Sequence, residues 1–291
     1  MAVVAGERVS LVSYTDQIAR MRRSYALRKK AFPAEGSPAF RRLRDTVVAL
    51  VVFRVEVRQK AAAEGIVLSD AVIAARVGQI EQQWGSNPRT FQRMLKRLGL
   101  TRRALREDVR ARLTLDAVRL RLKAEQTASD DEVAAYYASH LAEFTNPASR
   151  RIRHIVVRTR KRALLVLRRL HEGAAFGTMA RRYSLDRSTR RSGGVLTVIE
   201  GGGDSALQRY AFAAGRGKLV GPVRFRDGWH LLQALGPVRP KRTAPLAEVA
   251  AAAREQVLNG KAGAAMARWL DDLKRDYADK VVYAAGFAPG S

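Results

Sequence analysis

Two histidines lie in strand-like segments that are far apart in the second half of the chain. His154 falls in RIRHIVV (151–157) and His230 in GWHLLQAL (228–235), each alternating with apolar residues. This alternation places each imidazole on the same strand face as aliphatic side chains. A buried neutral imidazole needs hydrogen-bond partners for both ring nitrogens. If the two strands are neighbours, the rings can meet, and each imidazole can supply one hydrogen-bond partner to the other.

Asp186 supplies a carboxylate between the two histidines, in the loop SLDRSTRRSGG (184–194). Two imidazoles and a carboxylate are metal-ligand types. Because none of the three lies at the short local spacing of zinc motifs, we predict no metal ion here. A buried polar network without catalytic duty is the structural alternative.

The elements that must hold these three residues follow from hydrophobic periodicity. After the strand at 151–157, the pattern predicts a helix at 160–171, a second helix around Met179, a strand at 195–199 and a short helix around Leu207. The turn-like GKLVGPV then precedes the strand that carries His230. This order predicts a small antiparallel sheet covered by helices.

Two proline-containing stretches, TNPAS and GPVRPKRTAP, bracket this unit and discourage regular structure. We therefore predict an inserted domain at 148–240, with flanks at 1–147 and 241–291. Helical periodicity dominates both flanks, and the C-terminal helix cannot bury its apolar face alone, so we expect it to pack on the N-terminal helices. The predicted fold class is α+β, with an antiparallel sheet domain inserted in a mainly helical domain.

The N-terminal flank carries specific local signals. Residues 3–12, VVAGERVSLV, indicate a short strand pair that turns at Gly6, and Thr15 is the predicted N-cap of the following helix. A long helix is predicted from Phe40 to Gly65. Near the C-terminus, KVVYAAGF has the β-branched character of a strand.

Composition excludes several classes of protein. The chain has no cysteine, which excludes disulfides, thiolate zinc sites and a cysteine nucleophile. Its longest apolar run, TVVALVVF, is interrupted by Arg54 and Glu56 and is far shorter than a membrane span. Because no signal-like segment opens the sequence, we expect either a cytosolic protein or a targeting segment that is absent from this sequence.

The chain has a formal net charge of +27, which should attract polyanions at a strength that falls with salt. The inserted segment is the most basic part. Its arginines are scattered between apolar residues, without the interleaved aromatics of single-strand binders or the spacing of zinc fingers. A solvated basic face is therefore favoured over a specific nucleic-acid site.

Several motifs, in the same order, resemble the parvulin family of peptidyl-prolyl isomerases over roughly residues 150–236. The motifs are RHIVV, GAAFGTMARRYSLD, GGVL, AFAAGRGKLVGPV and GWHLLQ. The flanks resemble, more loosely, the helical chaperone domain of the SurA and PrsA type of extracytoplasmic foldases. The segments that carry this second resemblance are VAGERVS, GLTRRALREDVRARL and DDEVAAYYASHLAEF.

The parvulin resemblance implies a peptidyl-prolyl cis–trans isomerase that needs neither metal nor cofactor. It places His154, Asp186 and His230 in the catalytic floor. It also implies substrate-binding residues, which are Leu196, Leu207, Phe212 and Met179. Where the family usually has Met and Phe in the proline seat, the nearest positions here are Gly203 and Leu207, which predicts a shallower pocket.

The two resemblances together imply a foldase that assists unfolded or proline-containing polypeptides outside the cytoplasm. One alternative is a holdase whose inserted domain binds peptides with little isomerase activity, and a less favoured one is a polyanion or nucleic-acid binder. The charge could also hold an extracytoplasmic protein near an anionic membrane surface or wall polymer.

Overall fold

The computed structural model describes residues 1–84, 87–203 and 205–290. The helices are α1 (Leu11–Leu27), α2 (Pro38–Ala63), α3 (Asp70–Gln83), α4 (Pro88–Leu98), α5 (Arg102–Ala124), α6 (Asp130–Ser139), α7 (Arg160–His171), α8 (Phe176–Tyr183), α9 (Ser205–Ala213) and α10 (Leu246–Tyr277). The strands are β1 (Ala2–Val4), β2 (Glu7–Val9), β3 (Thr145–Asn146), β4 (Ser149–Val157), β5 (Val195–Ile199), β6 (Leu219–Phe225), β7 (Gly228–Arg239), β8 (Arg242–Thr243) and β9 (Val281–Tyr283). The predicted α+β class is confirmed.

The chain divides into two units. The terminal unit comprises Met1–Ser129 and Arg254–Ser291, and the inserted unit comprises Asp130–Ala253. These divisions differ from the predicted ones, because 130–147 and 241–253 group with the inserted unit. The physical reason is that the proline-containing junctions are tied together: β3 pairs with β8, and the Tyr137 hydroxyl donates to the carbonyl of Ala244 at 2.8 Å.

Both ends of the chain build the terminal unit. Its sheet has the order β2-β1-β9, so the predicted N-terminal strand pair and C-terminal strand share one sheet. The predicted packing of the C-terminal helix is also confirmed, since Trp269 and Leu273 of α10 are buried with Val57 of α2 and Val118 of α5. No helix among the described residues combines the length and apolar character that crossing a bilayer requires.

The N-cap that the sequence predicted for the first helix is wrong. α1 begins at Leu11 rather than after Thr15, because the Ser10 hydroxyl accepts from the backbone N–H of Val12 at 3.1 Å and acts as the N-cap. The Thr15 hydroxyl instead donates to the carbonyl of Val12 within the first turn. The long helix predicted from Phe40 is α2, which Ser37 caps.

The inserted unit is built on a four-stranded antiparallel sheet with the order β5-β4-β7-β6. The segment GKLVGPV, predicted as a turn, contributes most of β6, which pairs with β7 across a register shift between Val220 and Val223. α7 and α8 pack on the sheet face that carries Ile155 and Leu231. α9 packs on the opposite face, which carries Ile152 and Leu232.

Candidate active site

The two strand histidines meet on the sheet face that α9 partly covers. β4 and β7 are hydrogen-bonded neighbours, with Val156 opposite His230 and Leu232 opposite His154. The ring centroids are 5.6 Å apart, with the ring planes at 62°. The two histidines are 5% and 3% exposed, so the predicted juxtaposition of buried imidazoles is present.

The hydrogen-bond partners of these rings differ from the prediction. His154 Nε2 lies 2.8 Å from Asp186 Oδ2, and His230 Nε2 lies 2.8 Å from Asp227 Oδ1. Each ring therefore points one nitrogen at a carboxylate rather than at the other ring. Because Nε2 of His154 faces a carboxylate, we assign the proton to that nitrogen. Its Nδ1 is buried without a hydrogen-bond partner among the described residues.

Asp227 is a site residue that the sequence reasoning missed. It lies three residues before His230, in the two-residue turn Arg226–Asp227 between β6 and β7. The missed signal is the i, i+3 spacing between a turn carboxylate and a strand histidine, which lets the side chain reach back to the ring.

Asp186 accepts several hydrogen bonds within its own loop. The backbone N–H of Ser188 donates to Oδ1 at 2.9 Å and the Ser188 hydroxyl donates at 2.6 Å. The Thr189 hydroxyl donates to Oδ2 at 2.5 Å. Burial alone would raise the pKa of Asp186, but the donors of Ser188, Thr189 and His154 together hold that pKa well below its usual range. Asp186 is therefore a fixed negative charge at neutral pH.

Strand β4 itself sets the position of this loop. The Ser184 hydroxyl accepts from the backbone N–H of Val156 at 3.2 Å and from that of Asp186 at 3.3 Å. The backbone N–H of Leu185 donates to the carbonyl of Val156 at 2.8 Å. On the other side, His154 N donates to the carbonyl of Gly194 at 2.8 Å. The carboxylate and the imidazole are thus held by one strand.

Acidification is expected to remove the stabilisation that Asp186 provides. Because its pKa is lower in the folded state, the unfolded chain binds the proton first as the pH falls below about 4. The contribution is complete above that pH and is lost toward the lower folded pKa. Chemical denaturation of wild type and Asp186→Asn from pH 7 to pH 3 measures this, and the difference in unfolding free energy should shrink below about pH 4. A constant difference would contradict the hydrogen-bonding argument.

An apolar wall lies on the same sheet face as the histidines. Leu196 of β5 and Leu207 and Phe212 of α9 are partly buried against the cluster that contains Ile152 and Leu232. The structure thus gathers these three predicted substrate-binding residues on the histidine face. A fixed carboxylate and two oriented imidazoles beside this wall could bind an apolar ring next to a polar amide.

Met179, the fourth predicted substrate-binding residue, lies elsewhere. It packs with Ile155, Val166 and Phe176 in the cluster under α7 and α8, on the opposite sheet face. The physical reason is the register of α8, whose apolar stripe covers that face of the sheet. We therefore leave Met179 out of the proposed site and assign it to the core.

Arg150 anchors the wall to the sheet. This arginine is only 5% exposed. Its Nη1 donates to the carbonyls of Ala211 and Phe212 at 2.9 Å, and its Nε donates to the carbonyl of Gly236 at 3.1 Å. It therefore binds the last carbonyls of α9, where a positive charge also favours the helix dipole.

Replacing Arg150 with methionine is expected to loosen α9 while keeping most of the apolar stem. The carbonyls left without a donor should cost about 2–4 kcal/mol of unfolding free energy. Urea denaturation measures this cost, and Arg150→Lys should restore part of it because an ammonium group can still donate. Equal stability of wild type and Arg150→Met would show that the anchor is not needed.

Metal binding finds no support in the part of the chain that is described. Residues 1–84, 87–203 and 205–290 contain no group of three or more His, Cys, Asp or Glu side chains arranged to hold a metal ion. The polar side chains of the site are instead bound to one another, as in the contacts of Asp186 with His154 and Thr189.

Both parts of the chain match models of known families. Residues 128–251 match the PPIC-type PPIASE domain, and residues 1–119 match the SurA-like N-terminal domain. The first range covers nearly the whole inserted unit and contains every residue of the candidate site. The second range lies in the terminal unit.

Curated relatives carry the name foldase protein PrsA. The chain is 24% identical over 207 residues to the protein of that name from Clostridium acetobutylicum, covering 69% of this chain and 62% of the relative. It is 26% identical over 168 residues to foldase protein PrsA 2 from Listeria innocua, covering 57% and 54%. The match thus spans less than two thirds of the length of these relatives.

Similar solved structures include one from work on the SurA-like chaperones PEB4 and Cj1289 of Campylobacter jejuni. This match has 19% sequence identity and a TM-score of 0.45, and it covers 79% of this chain and 95% of the other. Foldase protein PrsA from Streptococcus pneumoniae matches with 16% identity and a TM-score of 0.44, covering 89% and 97%.

Proposed function

We propose that this protein is a peptidyl-prolyl cis–trans isomerase and folding chaperone, because residues 128–251 match the PPIC-type PPIASE domain and residues 1–119 match the SurA-like N-terminal domain. The observation that carries the proposal is the His154–Asp186 pair next to His230, on the sheet face that bears Leu196 and that Leu207 and Phe212 of α9 cover. The substrates are unfolded polypeptides that contain proline.

The reaction breaks no covalent bond and needs only stabilisation of a twisted amide. Rotation about an Xaa–Pro bond is opposed by amide resonance, with a barrier of about 18–20 kcal/mol. As the amide twists, the carbonyl oxygen loses negative charge and the proline nitrogen regains its lone pair. An enzyme that binds this twisted form better than the planar forms accelerates the rotation.

Asp186 would act on the charge distribution of the amide. Its low pKa keeps it ionised, and a negative charge beside the carbonyl disfavours the planar resonance form, in which the oxygen is most negative. Leu196, Leu207 and Phe212 would seat the proline ring and exclude water from the carbonyl. His154 and His230 would form the floor, with His154 fixing the orientation of the Asp186 carboxylate.

Exchange spectroscopy by NMR on a short proline peptide tests the isomerase activity directly. Wild type should speed cis–trans exchange at catalytic concentration, and His154→Ala should lose most of this effect because the Asp186 carboxylate loses a donor and the floor opens. The Met179→Leu variant is the matched control, since it changes a buried residue on the opposite sheet face. Wild-type rates equal to uncatalysed exchange would refute the enzymatic proposal.

A holdase without significant isomerase activity is the second candidate, and the observation that favours it is the aliphatic Leu207 in the wall, which offers less ring contact than an aromatic residue. The two functions separate in a refolding experiment. A foldase accelerates the proline-limited refolding phase of a client, whereas a holdase suppresses aggregation and leaves that phase unchanged.

The proposed compartment is extracytoplasmic, which is consistent with the relatives named PrsA and with the absence of cysteine. In that setting the net charge of +27 would favour clients and surfaces that are acidic. Binding to anionic but not neutral vesicles, weakening steeply with salt, would identify an anionic membrane surface as a partner. Tight DNA binding that survives 150 mM salt would instead favour the nucleic-acid alternative.

A further inference from the structure

A cavity of about 610 Å³ lies within the terminal unit. Residues of β2, α1, α2, α3, α5 and the segment 66–68 line it. Its apolar surface comes from aliphatic side chains, among them Val9, Val51, Val55, Ile66 and Leu68. A cavity of this size with an apolar surface can hold one or two side chains of a ligand.

The cavity runs along the open edge of a β-strand. β2 is an outer strand of the sheet β2-β1-β9, and the consecutive residues Glu7, Arg8, Val9 and Ser10 all line the cavity. Side chains of a strand alternate between its two faces. A cavity that reaches consecutive residues therefore lies beside the backbone edge rather than over one face.

The hairpin register shows which backbone groups face this edge. Val4 and Glu7 flank the two-residue turn Ala5–Gly6, both of whose residues have positive φ, as in a type I′ turn. The pair that closes such a turn is hydrogen-bonded, and hydrogen-bonded and non-hydrogen-bonded pairs alternate along the ladder. Arg8, opposite Val3, is therefore in a non-hydrogen-bonded pair. Its N–H and C=O point away from β1, toward the open edge.

Three of the four arginines that line the cavity are in ion pairs, and the fourth, Arg8, is exposed on β2. Arg58 binds Glu7, Arg110 binds Asp70 at 2.6 Å, and Arg54 binds Asp108 at 2.5 Å. These arginines therefore offer little free charge to a phosphate or a nucleic acid. What the cavity offers is a strand edge beside an apolar surface, and that combination recognises an extended chain through its backbone.

We propose that this cavity binds an extended segment of unfolded polypeptide, which adds to β2 as a further strand through the N–H and C=O of Arg8 and places an apolar side chain against Val9, Val51 and Val55. The choice of occupant rests on the proposed chaperone function. Backbone pairing suits that function because every unfolded client presents the same backbone groups. The site would hold clients without requiring a proline.

Binding of a proline-free probe tests this site independently of isomerase activity. The probe is a fluorescein-labelled, uncharged decapeptide of alternating Leu and Ser, and the measurement is fluorescence anisotropy with the full-length chain. Arg8→Pro removes the outward N–H, and Arg8→Ala is its matched control because it removes only the side chain. Ala62→Trp fills the cavity that Ala62 lines, and Ala267→Trp on α10, an exposed position outside the lining, is the control for that change.

Arg8→Pro and Ala62→Trp should each weaken binding by about tenfold, a loss in the range expected for backbone hydrogen bonds and an apolar contact. Both controls should stay within about twofold of wild type, which is the scatter of surface substitutions. A decapeptide N-methylated on its central residues should bind wild type at least about tenfold more weakly, which tests backbone pairing without any change to the protein.

Equal affinity for the methylated and unmethylated peptides would overturn the proposal. So would Arg8→Pro binding as tightly as Arg8→Ala. The other candidate occupant of this edge is a second copy of the chain, and sedimentation of wild type and Arg8→Pro tests it. If the substitution changes the oligomeric state and leaves peptide binding intact, the edge joins two copies of the chain and the proposal is wrong. Because the probe lacks proline, loss of isomerase activity in any preparation leaves this test valid.

Discussion

Replacing Asp186 with alanine is expected to lower kcat/KM for a proline peptide about 10- to 100-fold, the effect of removing one preorganised charged group from an active site. The substitution removes the fixed negative charge beside the substrate carbonyl. It also leaves the buried Nε2–H of His154 with only the Thr189 hydroxyl, 3.1 Å away. The NMR exchange assay measures the loss.

Asp227→Ala is the matched control for this prediction. Asp227 pairs with His230 at the same 2.8 Å that separates Asp186 from His154, but its side chain is 63% exposed, compared with 22% for Asp186. Water can replace an exposed carboxylate at little cost. We expect at most about a threefold loss for Asp227→Ala, in keeping with the small worth of an exposed pair. Equal losses in the two variants would mean that burial and loop hydrogen bonding at Asp186 are irrelevant to catalysis.

Gly194→Ala is expected to be the most damaging small substitution in the inserted unit. Gly194 has φ +82°, and a Cβ there would lie 2.2 Å from the backbone oxygen of His154. A non-glycine residue in left-handed conformation costs about 1–2 kcal/mol. Relieving the contact requires movement of β4, for which overpacking costs of about 1–3 kcal/mol are typical. Thermal unfolding should show the sum of these two costs as a loss of stability. Faster hydrogen exchange of the β4 amides should show that the loss lies in the inserted unit.

Gly201→Ala is the control that separates the cost of a left-handed alanine from the cost of the contact with β4. Gly201 has φ +78°, and a Cβ there meets nothing within 4 Å. It should therefore show the conformational cost alone, and the difference between the two variants measures the contact with His154. Isomerase activity should also fall more in Gly194→Ala, because the displaced strand carries a floor histidine. Indistinguishable stabilities would show that β4 yields freely at this point.

Much of the architecture was predictable from local patterns. Period-two alternation identified the strands of His154 and His230 and the face on which each ring lies. The helix predicted at 160–171 is α7, and the strand predicted at 195–199 is β5. β6 was missed because Gly221–Pro222 indicates a turn, whereas the strand continues past it through an irregular register.

The site was less predictable than the fold. Motif order brought His154, Asp186 and His230 together, but the need of each buried imidazole for two partners suggested ring-to-ring hydrogen bonding, whereas each ring pairs with a carboxylate. Met179 was assigned to the substrate site by motif position, although its place on the apolar stripe of α8 points it to the other sheet face. Arg150 was counted only as part of a basic segment, because no local pattern indicates that an arginine will be buried against the end of a distant helix.

The sequence by itself determined most of the residues that face the core, the approximate positions of most helices and strands, and which family motifs recur, because these follow from spacing along one segment. Only the tertiary structure decided which atoms pair. The bond from His154 to Asp186, the bond from His230 to Asp227 and the anchoring of α9 by Arg150 depend on the register of β4 against β7 and on the path of the loop after α8. Such contacts join groups on different segments, and a side chain reaches its partner only when the backbone places it within about 3 Å.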